Sequence, residues 1–171
     1  MAKKKNYKEA IKLYTKVINR NGKIQLAYYD RGFCFIALKN YSLALRDFNK
    51  VISLQTYGNY VLTENPNTPF ASDEARMQVA YNDALYQRAQ VKFYMDSLKS
   101  SFQDFQMLIN DNYEQKSNCI VWQGTIWVRN GDKDKACEYF QKAKATATTG
   151  EDKKEADDFI KDYCQATNNN R

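Results

Sequence analysis

The chain has 171 residues, of which 43% are hydrophobic and 27% charged, with only 6 glycines and 2 prolines. These proportions fit one folded domain with a buried core, and no window approaches the roughly 18 uninterrupted apolar residues that would span a bilayer. The formal charge of +6 lies at one end, because residues 1–24 hold eight Lys or Arg and one Glu, while the remainder holds 18 basic and 19 acidic residues.

The first predicted element is a basic amphipathic helix within a half repeat over residues 6–22. Its apolar residues recur at helical spacing, and every fourth residue from Lys8 to Lys16 is a lysine on the opposite, outward face. The apolar stripe consists of Tyr7, Ala10, Tyr14 and Val17. This segment supplies only the second helix of a repeat whose first helix is missing, so one packing face is left uncovered. Either the N-terminus is a natural cap, or the chain was cut from a longer array, or another chain covers this face.

A helix hairpin over residues 25–55 is the first full copy of a unit that recurs along the chain. In each copy a small residue is followed 12 positions later by a second small residue and, after 4 more, by an aromatic ring. The three triplets are Gly32, Ala44, Phe48; Ala89, Ser101, Phe105; and Gly124, Ala136, Phe140. Small residues let two helices approach closely, while the ring fills the volume beside them. Turn-forming residues between the first two members of each triplet predict that each copy is an antiparallel hairpin. The half repeat aligns with the second helix of the first full copy, with Tyr7 matched to Tyr41.

An insertion separates the first copy from the second, which is predicted to span residues 73–112. The interval from Gly32 to Ala89 is much longer than the interval from Tyr7 to Tyr41, and the additional residues include both prolines. We predict a loop over residues 56–72 that either shapes ligand specificity or is a tolerated surface loop. With Ser72 or Asp73 as N-cap, the first helix of this copy is predicted to extend from Asp73 to about Tyr94.

The third copy is predicted over residues 117–146, and a capping helix over residues 151–165. A solenoid needs such a terminal element because its last hairpin would otherwise expose an apolar face. The polar tail 167–171 is predicted to be disordered. Cys137 and Cys164 lie on sequential antiparallel helices, where a disulfide is one interpretation and reduced, buried cysteines are the other.

Two pairs of opposite charges recur with the repeat. The spacing in sequence from Arg31 to Asp47 equals the spacing from Arg88 to Asp104. The repeated spacing predicts an ion pair across each hairpin, with a structural role instead of a catalytic one. If partly exposed, each pair contributes about 1 kcal/mol or less.

The pattern resembles the tetratricopeptide repeat family, whose period of about 34 residues equals the offset of the half repeat from the first full copy. The signature positions occupied in the first copy are Tyr28, Gly32, Phe35, Leu38, Tyr41, Ala44, Phe48 and Leu54. The family's usual helix-ending proline is absent from all copies. The resemblance implies an all-α fold, a right-handed superhelical solenoid of antiparallel helix hairpins with about three full repeats, an N-terminal half repeat and a C-terminal capping helix. We expect residues 1–171 to form a single domain of this kind.

The resemblance also implies a partner-binding groove on the concave surface, lined mainly by the first helix of each hairpin. The residues that it places there are Tyr29, Phe33, Ile36, Tyr86, Gln90, Phe93, Val121, Thr125, Val128 and Arg129. Some family members hold the C-terminal carboxylate of heat-shock chaperones with polar side chains where Tyr29 and Phe33 stand, so such a clamp is not expected. An apolar or helical peptide suits this surface better. The alternative is that several of these rings, Phe33 and Phe93 among them, pack in the core between hairpins.

Histidine and several common active-site motifs are missing from the sequence. The chain contains no histidine, and its four cysteines form no C-x-x-C pair, which removes the usual zinc ligands and the customary base of a Ser or Cys nucleophile. No phosphate-binding, dinucleotide-binding or zinc-protease motif occurs. We therefore predict no enzyme activity, no metal and no cofactor. The predicted function is a protein–protein interaction scaffold or adaptor that binds a peptide or partner protein.

Two alternative functions use the N-terminal helix. Its lysines would attract nucleic acid, although no side-chain code per repeat is discernible. The uncovered half repeat would instead mediate self-association into a homo-oligomer. The expected location is the cytoplasm, or the periplasm or the exterior if a leader has been removed.

Overall fold

The computed structural model describes residues 2–55 and 81–164. This part of the chain consists of eight α-helices and contains no β-strand. The helices are α1 (Ala2–Arg20), α2 (Gln25–Ala37), α3 (Tyr41–Gln55), α4 (Tyr81–Tyr94), α5 (Leu98–Asn110), α6 (Lys116–Arg129), α7 (Lys133–Thr146) and α8 (Gly150–Cys164). The predicted all-α solenoid of helix hairpins is confirmed.

Some predicted features lie outside the described residues. They are the insertion loop over residues 56–72, the N-cap at Ser72 or Asp73, the part of the extended helix that precedes Tyr81, and the tail 167–171. The limits of the repeats and the single-domain organisation stay predictions.

The chain forms two compact units that meet in sequence at the turn between α4 and α5. In the first unit, residues 1–96, α2 and α3 form a hairpin, α1 packs against α2, and α4 packs against α3. In the second unit, residues 97–171, α6 and α7 form a hairpin, α5 packs against α6, and α8 packs against α7. Within each unit, consecutive helices therefore pack on their neighbours in the chain, which is the contact pattern of a repeat protein.

A glycine faces a buried ring inside the α2–α3 and α6–α7 hairpins. A Cβ atom added at Gly32 would lie 2.8 Å from Phe48 Cζ, and one added at Gly124 would lie 2.5 Å from Phe140 Cε1. Both rings are fully buried, as is Phe105 of the second copy. Each ring occupies the space that a side chain at the glycine would need, so the two helices approach more closely than larger residues would allow.

Residues in the left-handed backbone region end four of the helices. They are Lys39 with φ +59°, Asp96 with φ +62°, Asn112 with φ +53° and Gly131 with φ +78°. After α2, the Lys39 N–H donates to Ile36 O and the Asn40 N–H to Phe35 O, both at 2.8 Å, which closes the helix as a Schellman motif. The register of these two hydrogen bonds places the left-handed conformation at Lys39.

The predicted ion pair between Arg31 and Asp47 joins α2 to α3. Arg31 Nε donates to Asp47 Oδ2 at 2.7 Å and Nη2 donates to Oδ1 at 2.8 Å, in a bidentate arrangement. Nη1 also donates to Thr15 Oγ1 on α1 at 3.0 Å, so one guanidinium contacts two neighbouring helices. The pair is buried, with side-chain exposures of 9% and 1%, so the small contribution expected of a partly exposed pair does not apply. Arg88, the second arginine of the pattern, donates to Asn49 Oδ1 on α3 at 3.3 Å.

The capping helix α8 is held to α7 by ring stacking and by a disulfide. Phe159 stacks on the buried ring of Phe140 with centroids 5.0 Å apart, and Ala156 is fully buried on α8. Cys137 and Cys164 form a disulfide, with their Cα atoms 5.6 Å apart. This bond ties the last residue of α8 to the N-terminal half of α7.

Candidate binding surfaces

Six of the predicted groove residues lie in the first unit. They are Tyr29, Phe33 and Ile36 on α2 and Tyr86, Gln90 and Phe93 on α4. Phe33 is 39% exposed, whereas Tyr86 and Phe93 are each only 8% exposed, and the other three are half-buried. Among these six residues, the exposed aromatic surface is therefore on α2.

Phe33 is anchored on one side by two other rings. Its centroid lies 4.9 Å from that of Tyr29 and 5.9 Å from that of Phe48, both in edge-to-face geometry. Tyr29 and Phe48 are 5.7 Å apart in the same geometry. Since Phe48 is fully buried, the cluster extends from the core to the surface. Phe33 therefore presents an ordered aromatic surface to solvent.

Tyr29 is half-buried and lies near two carboxylates. The pKa of Tyr29 is raised to about 12, first by burial and then by the carboxylates of Asp83 and Asp30, while a hydrogen bond with Gln87 lowers it. The phenol therefore remains neutral across the physiological pH range. The same two carboxylates place negative charge beside the aromatic cluster.

One face of α2 forms an exposed stripe, which we define by Leu26, Asp30, Phe33 and Ala37 and call the α2 stripe. Successive members are three or four positions apart in sequence, so they lie on one side of the helix. Leu26 is 37% exposed, close to the value for Phe33, and Ala37 is also exposed. The pKa of Tyr14 on α1 is raised, first by burial and then by the nearby carboxylate of Asp30. Sequence reasoning missed Leu26, Asp30 and Ala37, although helical spacing from Phe33 reaches all three.

The other four predicted groove residues lie on α6 in the second unit. Val121 is only 4% exposed, Thr125 and Val128 are half-buried, and Arg129 is exposed. Thr125 Oγ1 donates to Val121 O at 3.0 Å, so its hydroxyl is already engaged within the helix. Among these four residues, the available surface is concentrated at Val128 and Arg129.

A pocket that the sequence did not predict lies in the second unit between α5 and α6. Its volume is about 450 Å³. The lining residues are Leu98, Lys99, Phe102, Gln103, Ile126, Trp127 and Asn130. Trp127 packs edge-to-face on Phe102 at 6.3 Å, and Lys135 Nζ lies 4.3 Å from the Trp127 ring centroid. The walls come from helices of two different copies, so no spacing pattern within one helix reveals the pocket.

The helix α1 exposes three large apolar side chains. Leu13 is 61% exposed, Val17 38% and Tyr7 37%. A row of exposed apolar side chains on an amphipathic helix is a surface that another element can cover.

Neither a metal cluster nor a membrane span occurs within residues 2–55 and 81–164. No group of three or more Cys, Asp or Glu residues there is arranged to hold a metal ion. No helix in these ranges is long and apolar enough to cross a membrane.

Two models of the tetratricopeptide repeat match the chain, one over residues 26–56 and the other over residues 119–146. These ranges contain most of the α2–α3 and α6–α7 hairpins, in which a glycine faces a buried ring. The chain therefore contains two tetratricopeptide repeats. Repeats of this family are typically non-catalytic and serve in general as scaffolds for protein interactions.

Two solved structures share this architecture. Two crystal structures of MamA match the chain with TM-scores of 0.63 and 0.60, each at 16% sequence identity and over 94% of this chain. The matched regions cover 88% and 82% of the two MamA chains, and at this identity the likeness shows the fold alone. A crystal structure of a tetratricopeptide repeat protein from Parabacteroides merdae ATCC 43184 has a TM-score of 0.38 at 23% identity, over 91% of this chain and 65% of that chain. No curated protein matches the chain in sequence.

Proposed function

We propose that the chain is a non-catalytic adaptor that binds a peptide or partner protein through exposed first helices of its hairpins. In the first unit the contact surface is the α2 stripe together with Tyr29 and Ile36. In the second unit it is the accessible side of α6 at Val128 and Arg129. The observation that supports this proposal most strongly is the 39% exposure of Phe33 on top of an ordered aromatic cluster.

The geometry of α2 suits an apolar or helical peptide. A ring that is already held by its neighbours loses little conformational entropy when a partner covers it, so its burial contributes largely to affinity. The apolar positions of the α2 stripe also recur at the spacing of an amphipathic helix face, which is the pattern used when one helix binds along another. With 8% exposure each, Tyr86 and Phe93 fit the alternative role of core packing better than a contact role.

The variant Phe33→Ala is expected to bind its partner about 30-fold more weakly than the parent, because truncating a central aromatic anchor costs about 2 kcal/mol. The partner is obtained by affinity capture from native lysate, identified by mass spectrometry and titrated by calorimetry. Met107→Ala is the matched control, since Met107 is 43% exposed on α5, outside the proposed surface. Equal affinities for the two variants would contradict the assignment of the binding surface to α2.

Self-association through α1 is a second candidate, and the 61% exposure of Leu13 favours it. Leu13→Lys is then expected to convert a dimer into a monomer in light scattering, since a charge in an apolar interface is costly to bury. A mass of one chain for the parent at every concentration tested would remove this candidate. The nucleic-acid alternative stays a prediction from the lysines of α1.

A further inference from the structure

The α2 stripe carries one negative charge and no exposed positive charge. Asp30 lies between Leu26 and Phe33 on the same side of the helix, about one turn from each. The only other charged residue of α2, Arg31, is buried in its pair with Asp47. A ligand on this stripe therefore meets apolar surface interrupted by a single carboxylate.

Asp30 has no cationic partner among the side chains described in residues 6–54 and 81–164. Its carboxylate is partly exposed, and Asp30 lies three positions before Phe33 on the same side of the helix. A carboxylate beside an exposed aromatic ring attracts a cation twice, through its own charge and through the negative face of the ring.

We propose that the α2 stripe binds a segment of a partner protein that is both basic and apolar. In this complex an apolar side chain covers Leu26 and Phe33, and a lysine or arginine about one helical turn away pairs with Asp30. Arginine suits the position best, because a guanidinium pairs with a carboxylate and stacks on a ring at the same time. An acidic side chain at this position of the ligand is disfavoured, since Asp30 would repel it. The inference rests on the proposed function and adds the chemistry of the partner to it.

This inference is tested by panning a displayed library of random peptides on the whole chain. The peptides have about 12 residues, roughly three helical turns. The selected peptides are first sorted by their loss of binding to Phe33→Ala, which isolates those that use the α2 stripe. We expect these peptides to carry Lys or Arg three or four positions from an aliphatic or aromatic residue. They should bind Asp30→Asn about fivefold more weakly than the parent, as for a partly exposed charge pair.

The variants are chosen to separate charge from folding. Asp30→Asn keeps the shape of the side chain and removes only its charge, so its melting temperature should equal that of the parent. Asp134→Asn is the matched control, because Asp134 is an exposed carboxylate on α7, outside the stripe. A peptide whose basic residue is replaced by Glu should lose affinity for the parent and regain it for Asp30→Lys.

The outcomes distinguish the inference from the proposed function. Selected peptides that depend on Phe33 but lack basic residues, or that bind Asp30→Asn as tightly as the parent, overturn the inference and leave the adaptor function standing. If no selected peptide depends on Phe33, the inference and the proposed binding surface fall together.

Discussion

Replacing Asp47 by Ala is expected to lower the free energy of unfolding by about 3–5 kcal/mol, the range for removing one partner of a buried ion pair. The substitution leaves the guanidinium of Arg31 inside the α2–α3 hairpin, at 9% side-chain exposure, without the two hydrogen bonds at 2.7 and 2.8 Å. Losing a proton does not relieve the cost, since arginine stays charged at every accessible pH. Denaturation by urea, followed by circular dichroism, measures the change.

The control for this prediction removes both charges at once. Arg31→Met combined with Asp47→Leu is expected to cost far less than Asp47→Ala alone, because apolar residues of similar volume leave no buried charge unpaired. Thr15 then loses its contact with the guanidinium, but its hydroxyl keeps the 2.7 Å hydrogen bond to Ile11 O. A double variant as unstable as the single one would show that the cost comes from lost packing instead of an unpaired charge.

Phe140→Ala is expected to lower the free energy of unfolding by about 3–5 kcal/mol through loss of burial and the cavity left behind. The Phe140 ring is fully buried and contacts Phe159 and Tyr163 of α8, with centroids 5.0 and 5.9 Å away. The same ring fills the space above Gly124 on α6. Its removal therefore weakens both the α6–α7 hairpin and the packing of the capping helix, which urea denaturation measures.

Gly124→Ala then tests whether the ring and the glycine depend on each other. In the parent the new Cβ would lie 2.5 Å from Phe140 Cε1, so we expect a loss of about 1–3 kcal/mol from overpacking. On the Phe140→Ala background the clash is absent, and the substitution should stabilise the helix by about 1 kcal/mol through helix propensity. Gly150→Ala is the control, because a Cβ there meets nothing within 4 Å. Additive effects of Gly124→Ala and Phe140→Ala would contradict the proposed packing.

Most of the fold could be predicted because its determinants are local and repeated. The spacing in sequence from Gly32 to Phe48 equals the spacing from Gly124 to Phe140. This pattern is visible along the chain, and the close contact between the helices requires it. The spacing of Arg31 and Asp47 likewise predicted their pairing across the hairpin. Their burial was not predictable from spacing, because it depends on how neighbouring helices cover the pair.

The candidate site was less predictable, since exposure depends on packing between elements. Phe33 and Phe93 look alike in sequence, yet Phe33 is 39% exposed and Phe93 is 8% exposed. Which ring a neighbouring helix covers is decided by three-dimensional stacking, which one sequence does not display. Asp30 was missed for a different reason, because a carboxylate on a helix normally indicates only a solvated face, and the structure was needed to place it between two exposed apolar residues.

The assignment of binding to α2 is tested most directly by titrating the captured partner against two variants. The quantity to measure is the dissociation constant of Phe33→Ala divided by that of Met107→Ala. A ratio of about 30 is expected, since only Phe33 belongs to the proposed contact surface. A ratio near one, with both variants folded, would show that the exposed ring on α2 does not anchor the partner.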